Sequence, residues 1–252
     1  LIANASKAGN APYDFGLDPS LDASQRISPN VVATVTVNTD FAETEVDTRQ
    51  TNLTGFPLFF PEKRAFFLAG ADIFEFGFGL RDNITPFFSR RIGLYEGNEV
   101  PILAGGKLNG RTGKTAFGGL VMRTRELTTV EDSLAYSTMG VVRVKQNVLK
   151  ESSFGFIGTF GDPQNRGNSW TSGADFTYQT TRFRGDKNFL VGISGMYANQ
   201  PDLSGDQSAL AFKADYPNDI WDLSLTYFRI GDAFDPALGF VPRKGINSWR
   251  VG

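Results

Sequence analysis

From about residue 115 onward the chain repeats one pattern: seven to fourteen residues in which apolar and polar side chains alternate, then a cluster of Gly, Pro, Asn and Asp. A period of two is the period of a β-strand, and the clusters are turn chemistry. In WTSGADFTYQTTRF, Trp170, Ala174, Phe176 and Tyr178 share one face while Asp175, Thr177 and Gln179 share the other. Leu210, Phe212, Ala214 and Tyr216 oppose Lys213 and Asp215, and Trp221, Leu223, Leu225 and Tyr227 oppose Asp222, Ser224 and Thr226. SFGFIGTF aligns Phe154, Phe156 and Phe160, and NFLVGISGMY aligns Phe189, Val191, Ile193 and Tyr197. GDPQNRGN, RGDK, NQPDLSGDQ and YPND separate these runs. The pattern predicts an all-β meander of antiparallel strands, roughly nine to eleven in number.

Two architectures accommodate such a meander, a soluble sandwich or barrel and a transmembrane barrel. No apolar run approaches the ~18 residues of a spanning helix, but a spanning strand needs only about 9–11 residues, half of them polar. Trp170, Tyr197, Tyr216, Trp221 and Tyr227 lie near the ends of apolar faces, where an interfacial girdle would place them and where ordinary core aromatics would also fit. Periodicity leaves both architectures open. The 28 Gly and 23 Phe suit short strands, tight turns and an aromatic-rich exterior. The 25 basic and 27 acidic residues nearly balance, which argues against a nucleic-acid surface. With 0 His the chain lacks the usual catalytic base and the commonest transition-metal ligand. The 0 Cys suit an exported bacterial protein and many cytoplasmic ones alike.

The first hundred residues read differently, so the chain divides into 1–99 and a β meander at 100–252. Residues 1–30 are turn-rich and VVATVTVN is the first clear strand. The run FPLFFPEKRAFFLAGADIFEFGFG has no period of two, and Pro57 and Pro61 flank its centre. Irregular backbone at membrane depth must be buried in protein or line water, so the run suits a segment folded into a lumen or capping a mouth. Phe59, Phe60, Phe66, Phe67, Phe74, Phe76 and Phe78 would form its apolar core. Glu62, Lys63 and Arg64 are expected to pair with lumen charges, with Arg90 and Arg91 as candidate partners for carboxylates.

Three carboxylates, Glu43, Glu45 and Asp47, alternate along one strand face with Asp40 close behind. Successive same-face residues stand about 6.6 Å apart, within the range of an inverting glycosidase pair, but any D/E-x-E on a strand has that spacing. A salt-bridged or lumen-lining role comes first, a Ca²⁺ site of Asp40, Glu43, Glu45 and Asp47 second, and an acid-base pair third. GGKLNGRTGKT ends like a phosphate-binding loop, yet Leu108 occupies the first glycine position and a strand-like AFGGLVMRT follows. A hairpin turn over Asn109 to Lys114 is the expectation. The sequon at Asn52 carries no weight.

The block from Val37 to Gly79, VNTDFAETEVDTRQTNLTGFPLFFPEKRAFFLAGADIFEFGFG, is the most specific stretch of the chain. With FFSRRIGL (Phe87 to Leu94), VPILAGGKLNGRTGK (Val100 to Lys114), VVRVKQNV (Val141 to Val148) and LGFVPR (Leu238 to Arg243), it resembles an outer-membrane β-barrel family of bacteria. That family is of uncharacterised function, and its members usually carry a family 9 carbohydrate-binding module on the N-terminal side. The resemblance implies an up-and-down transmembrane β-barrel with an irregular Phe-rich plug or cap, in the outer membrane and in contact with its lipid. It implies no cofactor beyond the Ca²⁺ reading. The chain is then expected to be the first part of a larger barrel that continues beyond Gly252, because WRVG begins a new strand. Three functions follow as expectations: a non-enzymatic conduit or anchor associated with a saccharide, a glycan-acting hydrolase using carboxylates, and a docking partner for an envelope protein complex.

Overall fold

The computed structural model describes residues 2–6, 14–18, 20–38, 55–78, 83–95, 98–128 and 133–252. Eleven strands form one antiparallel sheet: β1 (Leu21–Ser28), β2 (Val31–Val37), β3 (Ile102–Thr112), β4 (Thr115–Thr124), β5 (Thr138–Val148), β6 (Ser152–Phe160), β7 (Trp170–Phe183), β8 (Lys187–Asn199), β9 (Ser208–Pro217), β10 (Asp222–Ile230) and β11 (Ile246–Val251). Each strand pairs with the one before it and the one after it, so the order is an uninterrupted meander. Ile2–Ser6 and Asp14–Asp18 form a separate hairpin.

The expected turn-rich N-terminus contains β1, a strand that pattern reading passes over. LDASQRIS does alternate, but Leu21, Ala23, Gln25 and Ile27 make a weak apolar face, and pairing with β2 defines the strand. The hairpin expected over Asn109 to Lys114 is tighter than its sequence suggests. β3 runs on through Asn109 to Thr112, and the reversal is confined to Gly113 and Lys114, with Gly113 at φ 58°. A two-residue connection needs that left-handed backbone, which glycine adopts without a steric penalty.

The connections are asymmetric. At one end they are tight: Pro29–Asn30, Gly113–Lys114, Leu149–Glu151, Arg184–Asp186 and Asn218–Trp221. At the other end lie the long ones, 38–101, 125–137, 161–169, 200–207 and 231–245. The first of these carries a short helix, Ala65–Leu68, and two 3-10 turns, Ala71–Phe74 and Ser89–Arg91.

The two faces of the sheet differ in chemistry. One presents large apolar side chains to the exterior: Val121, Val142, Phe154, Phe156, Phe176, Ile193, Leu210 and Leu223 are each at least 37% exposed. Charged residues on it, Arg123, Lys187 and Arg229, stand at or next to strand ends. The opposite face holds Thr36, Lys107, Arg143, Thr159, Thr171, Asp175 and Ser194, all buried, together with Leu120, Met122, Met139, Val141, Ile157 and Met196. The face assignments read from the alternation of residues 152–230 match this division, apart from Trp221, which lies in the turn before β10.

The hydrophobic core lies between this inner face and residues 55–78 and 83–95, the crossing segment, with Phe234 and Leu238 of the last long connection closing it. The segment crosses the sheet strand by strand. Phe74 packs on Gly118 of β4 and Phe78 on Gly192 of β8, four interstrand steps apart. Four steps measure about 19 Å along the sheet, whereas four residues span at most about 14 Å. The side chains of the segment therefore fan outward to reach strands spaced more widely than its own backbone.

Candidate functional site

The junction between the crossing segment and the inner face is the most elaborate constellation in the molecule. Its steric part is a set of glycine sockets. A methyl group at Gly118 would lie 2.7 Å from Ile73 Cγ2 and 3.1 Å from Phe74 Cζ. At Gly173 it would lie 2.9 Å from Phe76 Cζ, and at Gly192 2.7 Å from Phe78 Cδ1. Such approaches leave no room for a Cβ, so Phe74, Phe76 and Phe78 are keyed into β4, β7 and β8.

Its electrostatic part is a set of wall cations that hold the segment by its backbone and rings. Lys107 of β3 donates from Nζ to Phe66 O and, at 2.7 Å, to Ala69 O, and its ammonium lies 4.8 Å from the Phe66 ring. These carbonyls end the short helix, where a cation meets the negative end of the backbone dipoles. Arg143 of β5 donates from Nε to Glu75 O at 3.1 Å and stands 5.2 Å from the Phe76 ring. Its other nitrogens reach across β6 to Asp175 of β7, at 2.5 and 3.1 Å. The reach is possible because β6 carries Gly155 between them: a Cβ there would lie 2.5 Å from Arg143 Nη1. Lys213 of β9 lies 4.7 Å from the Phe78 ring and pairs with Asp215 at 3.0 Å.

The segment is also braced internally. Glu62 Oε1 accepts from the N–H of Lys63 (3.0 Å), the N–H of Arg64 (3.0 Å) and Arg64 Nε (2.8 Å). Its Oε2 accepts from Arg64 Nη2 (2.7 Å) and Ser89 Oγ (2.5 Å). Arg64 is 5% exposed and also donates to Ile92 O (2.7 Å) and Ser89 O (2.8 Å). Burial works to raise the Glu62 carboxyl, and the guanidinium with the Ser89 hydroxyl outweighs it and holds the group below its ordinary range. Arg90 donates to Pro61 O (3.2 Å), and Arg91 donates from Nε to Gly239 O (3.1 Å). Of the five charged residues singled out in this region, the structure pairs Glu62 with Arg64 and adds only the backbone N–H of Lys63, while Arg90 and Arg91 each reach a backbone carbonyl. Asp40, Glu43, Glu45 and Asp47 lie outside the described residues, and among the described residues no three potential ligands cluster.

A second constellation sits at the long-connection end. Asp162, whose side chain is fully buried, accepts from the N–H of Gln164 (2.7 Å), Arg166 Nε (2.7 Å) and Ser169 Oγ (3.1 Å). Arg166 continues to Asp235 (3.1 Å), which Lys244 also meets. The Ser169 hydroxyl, its single hydrogen shared, also stands 2.8 Å from Gln200 Oε1, and Gln200 Nε2 donates to Asp235 O at 3.0 Å. The network staples three successive connections and borders a cleft of about 470 Å³ that Arg91, Tyr95 and Pro163 also line. Burial works to raise the Asp235 carboxyl, and Lys244 and Arg166 hold it low. A general acid needs the opposite shift.

Residue-level reading of the sequence put Asp175 on the polar face without a role and did not single out Lys107, Arg143 or the socket glycines. The one local signal of the three charged residues is polarity on the face opposite the exposed aromatics.

Residues 13–105 match the family model described as a domain of unknown function, DUF5916. The match spans β1, β2, the crossing segment and the start of β3, up to Gly105. No curated protein and no solved structure matches the chain. No helix of the described residues is long and apolar enough to cross a membrane, which says nothing of crossing by strands.

Proposed function

We propose that this protein is an up-and-down transmembrane β-barrel of the bacterial outer membrane, plugged by the crossing segment and acting as a gated conduit. The observation that carries the proposal is the inversion of the two faces. A dozen aromatic and aliphatic side chains exposing on the order of 80–100 Å² each would leave a patch near 1,000 Å², well beyond what soluble monomers expose. A lipid environment removes that cost.

Strand length and aromatic placement support the same reading. β7 and β8 have 14 and 13 residues, enough to cross with tilt. Trp170 and Tyr197, with ring centroids 5.8 Å apart, mark one level of the outer face. Phe183, Phe189 and Tyr216 pack together at another. Tyr197 and Phe189 are eight residues apart on β8, about 27 Å along the strand and about 20 Å along the axis of a barrel tilted near 40°, close to the apolar band of known barrels. Tight turns at one end and long connections at the other are also characteristic of such barrels.

Saccharide is the cargo class that the resemblance to a family paired with a carbohydrate-binding module favours, and Asp40, Glu43, Glu45 and Asp47 are proposed as carboxylate ligands for Ca²⁺. A second reading, a permanently closed anchor, draws support from the density of the keyed contacts. Planar-bilayer recording of the full-length protein beside a variant lacking residues 39–79 separates the two. Conductance from the deletion alone supports the plugged conduit. Silence from both, with both folded, favours the anchor.

A further inference from the structure

The inner face is charged unequally, and the imbalance bears on what could pass. Two of its cations are cancelled in place, Arg143 by Asp175 and Lys213 by Asp215. Five more lie on the same face by register: Arg26 opposite Val32, Lys107 opposite Leu120, Arg111 and Lys145 both opposite Ala116, and Arg250 opposite Thr226. Against them stand two carboxylates, Asp22 opposite Thr36 and Asp222 at the start of β10. The described wall thus presents an excess of three positive charges.

The excess is concentrated toward the tight-turn end, on β1, β3 and β5. Arg26, Arg111 and Lys145 are exposed there and have no ion-pair partner among the described residues. Arg111 and Lys145 flank Ala116 across β4, so their backbones are about 10 Å apart. Cations at that spacing on one concave wall reinforce each other, because a cleft lined by one sign of charge focuses its field inward. Rings of Arg and Lys are how pores select anions. Among the described residues the crossing segment brings no counter-charge to this patch: its contacts with β3, β4 and β5, through Lys107, Gly118 and Arg143, lie on the long-connection side of Arg111 and Lys145.

We infer that the passage is anion-selective and that its solute is anionic, carrying carboxylate or phosphate groups. The inference rests on the plugged-conduit reading and specifies its substrate class. A potential of about one kT in the passage would raise anion and lower cation occupancy about 2.7-fold each, a permeability ratio of roughly 7.

The test is the reversal potential in a KCl gradient. It uses two opened forms, the full chain with Phe76→Ala and Phe78→Ala and the chain lacking residues 39–79, so that misfolding of one leaves the other. Chloride preferred over potassium about sevenfold, reversing or vanishing in the same backgrounds with Arg111→Glu and Lys145→Glu, is the expected result. Potassium preference, or selectivity indifferent to those two substitutions, overturns the inference and leaves the conduit standing. No current from either folded form overturns the conduit and the inference together. A uronate oligomer and a polyphosphate, added in turn, distinguish a carboxylate solute from a phosphate one by which blocks the current. Block by a neutral glucan as strong as by either overturns the anionic assignment.

Discussion

Replacing Gly192 by Ala tests the keyed junction with a single methyl group. On an ordinary strand the change is mildly stabilising, by about 0.5–1 kcal/mol, because glycine loses more backbone freedom on folding. At Gly192 the new carbon would lie 2.7 Å from Phe78 Cδ1 and 2.9 Å from Phe78 Cβ. The second contact is to the root of the side chain, so rotation of the ring cannot relieve it and the segment must move. Overpacking of this kind costs about 1–3 kcal/mol. Set against the strand gain, the net loss is about 0.5–2 kcal/mol, borne by the contact between segment and wall. At about 1.4 kcal/mol per decade, the population with the segment loosened rises about 2- to 30-fold. Amide hydrogen exchange across residues 66–78 reads that population directly. The control is Gly106→Ala, where the added carbon meets nothing closer than Thr34 O at 3.9 Å. Protection of 66–78 should fall in Gly192→Ala and hold in Gly106→Ala. Equal protection in the two variants would refute the socket argument.

Glu62→Ala leaves the Arg64 guanidinium buried beside two carbonyls without its counter-charge, and removing one member of a buried pair costs about 3–5 kcal/mol. The denaturant midpoint should fall accordingly, and an unchanged midpoint would show the bracket to be incidental. Because the Glu62 carboxyl is held below its ordinary value, its contribution is full above about pH 4.3, the usual glutamate range, and is lost as pH falls through the lower folded value. The wild-type midpoint should therefore drop between neutral pH and pH 3 more steeply than that of Glu62→Ala. Arg143→Met and Asp175→Leu together should be less damaging than Asp175→Leu alone, since the double change strands no charge; additivity of the two single losses in unfolding would contradict this. Trp170, Trp221 and Trp249, exposed by 42%, 66% and 65% on or beside the outer face, should be quenched by brominated lipid after reconstitution. Fluorescence indifferent to bromine would place that face away from lipid.

What could be read directly from the chain was whatever depends on neighbours one or two residues apart. Alternation assigned Phe154, Phe156, Phe176, Tyr178, Ile193 and Leu210 to one face and Asp175, Lys213 and Asp215 to the other, and it anticipated a meander, because strand period and turn chemistry are local. It passed over β1, whose edge position lets it keep a weak apolar face, and it set the hairpin at Gly113 too wide, because pairing with β4 extends a strand that its own residues specify poorly.

The junction depended on contacts that local pattern does not contain. Phe78 meets Gly192 across 114 residues and Arg143 meets Asp175 across 32, the latter because Gly155 on the strand between them leaves its side of the face open. The Glu62 carboxylate, by contrast, went to Arg64, two residues away, a local pair that the expectation of partners on the lumen wall passed over. By itself the sequence determined the strands and the chemistry of their two faces. Only the tertiary packing, which lays one short segment across strands from β3 to β9, decided which glycines became sockets and which cations became holds.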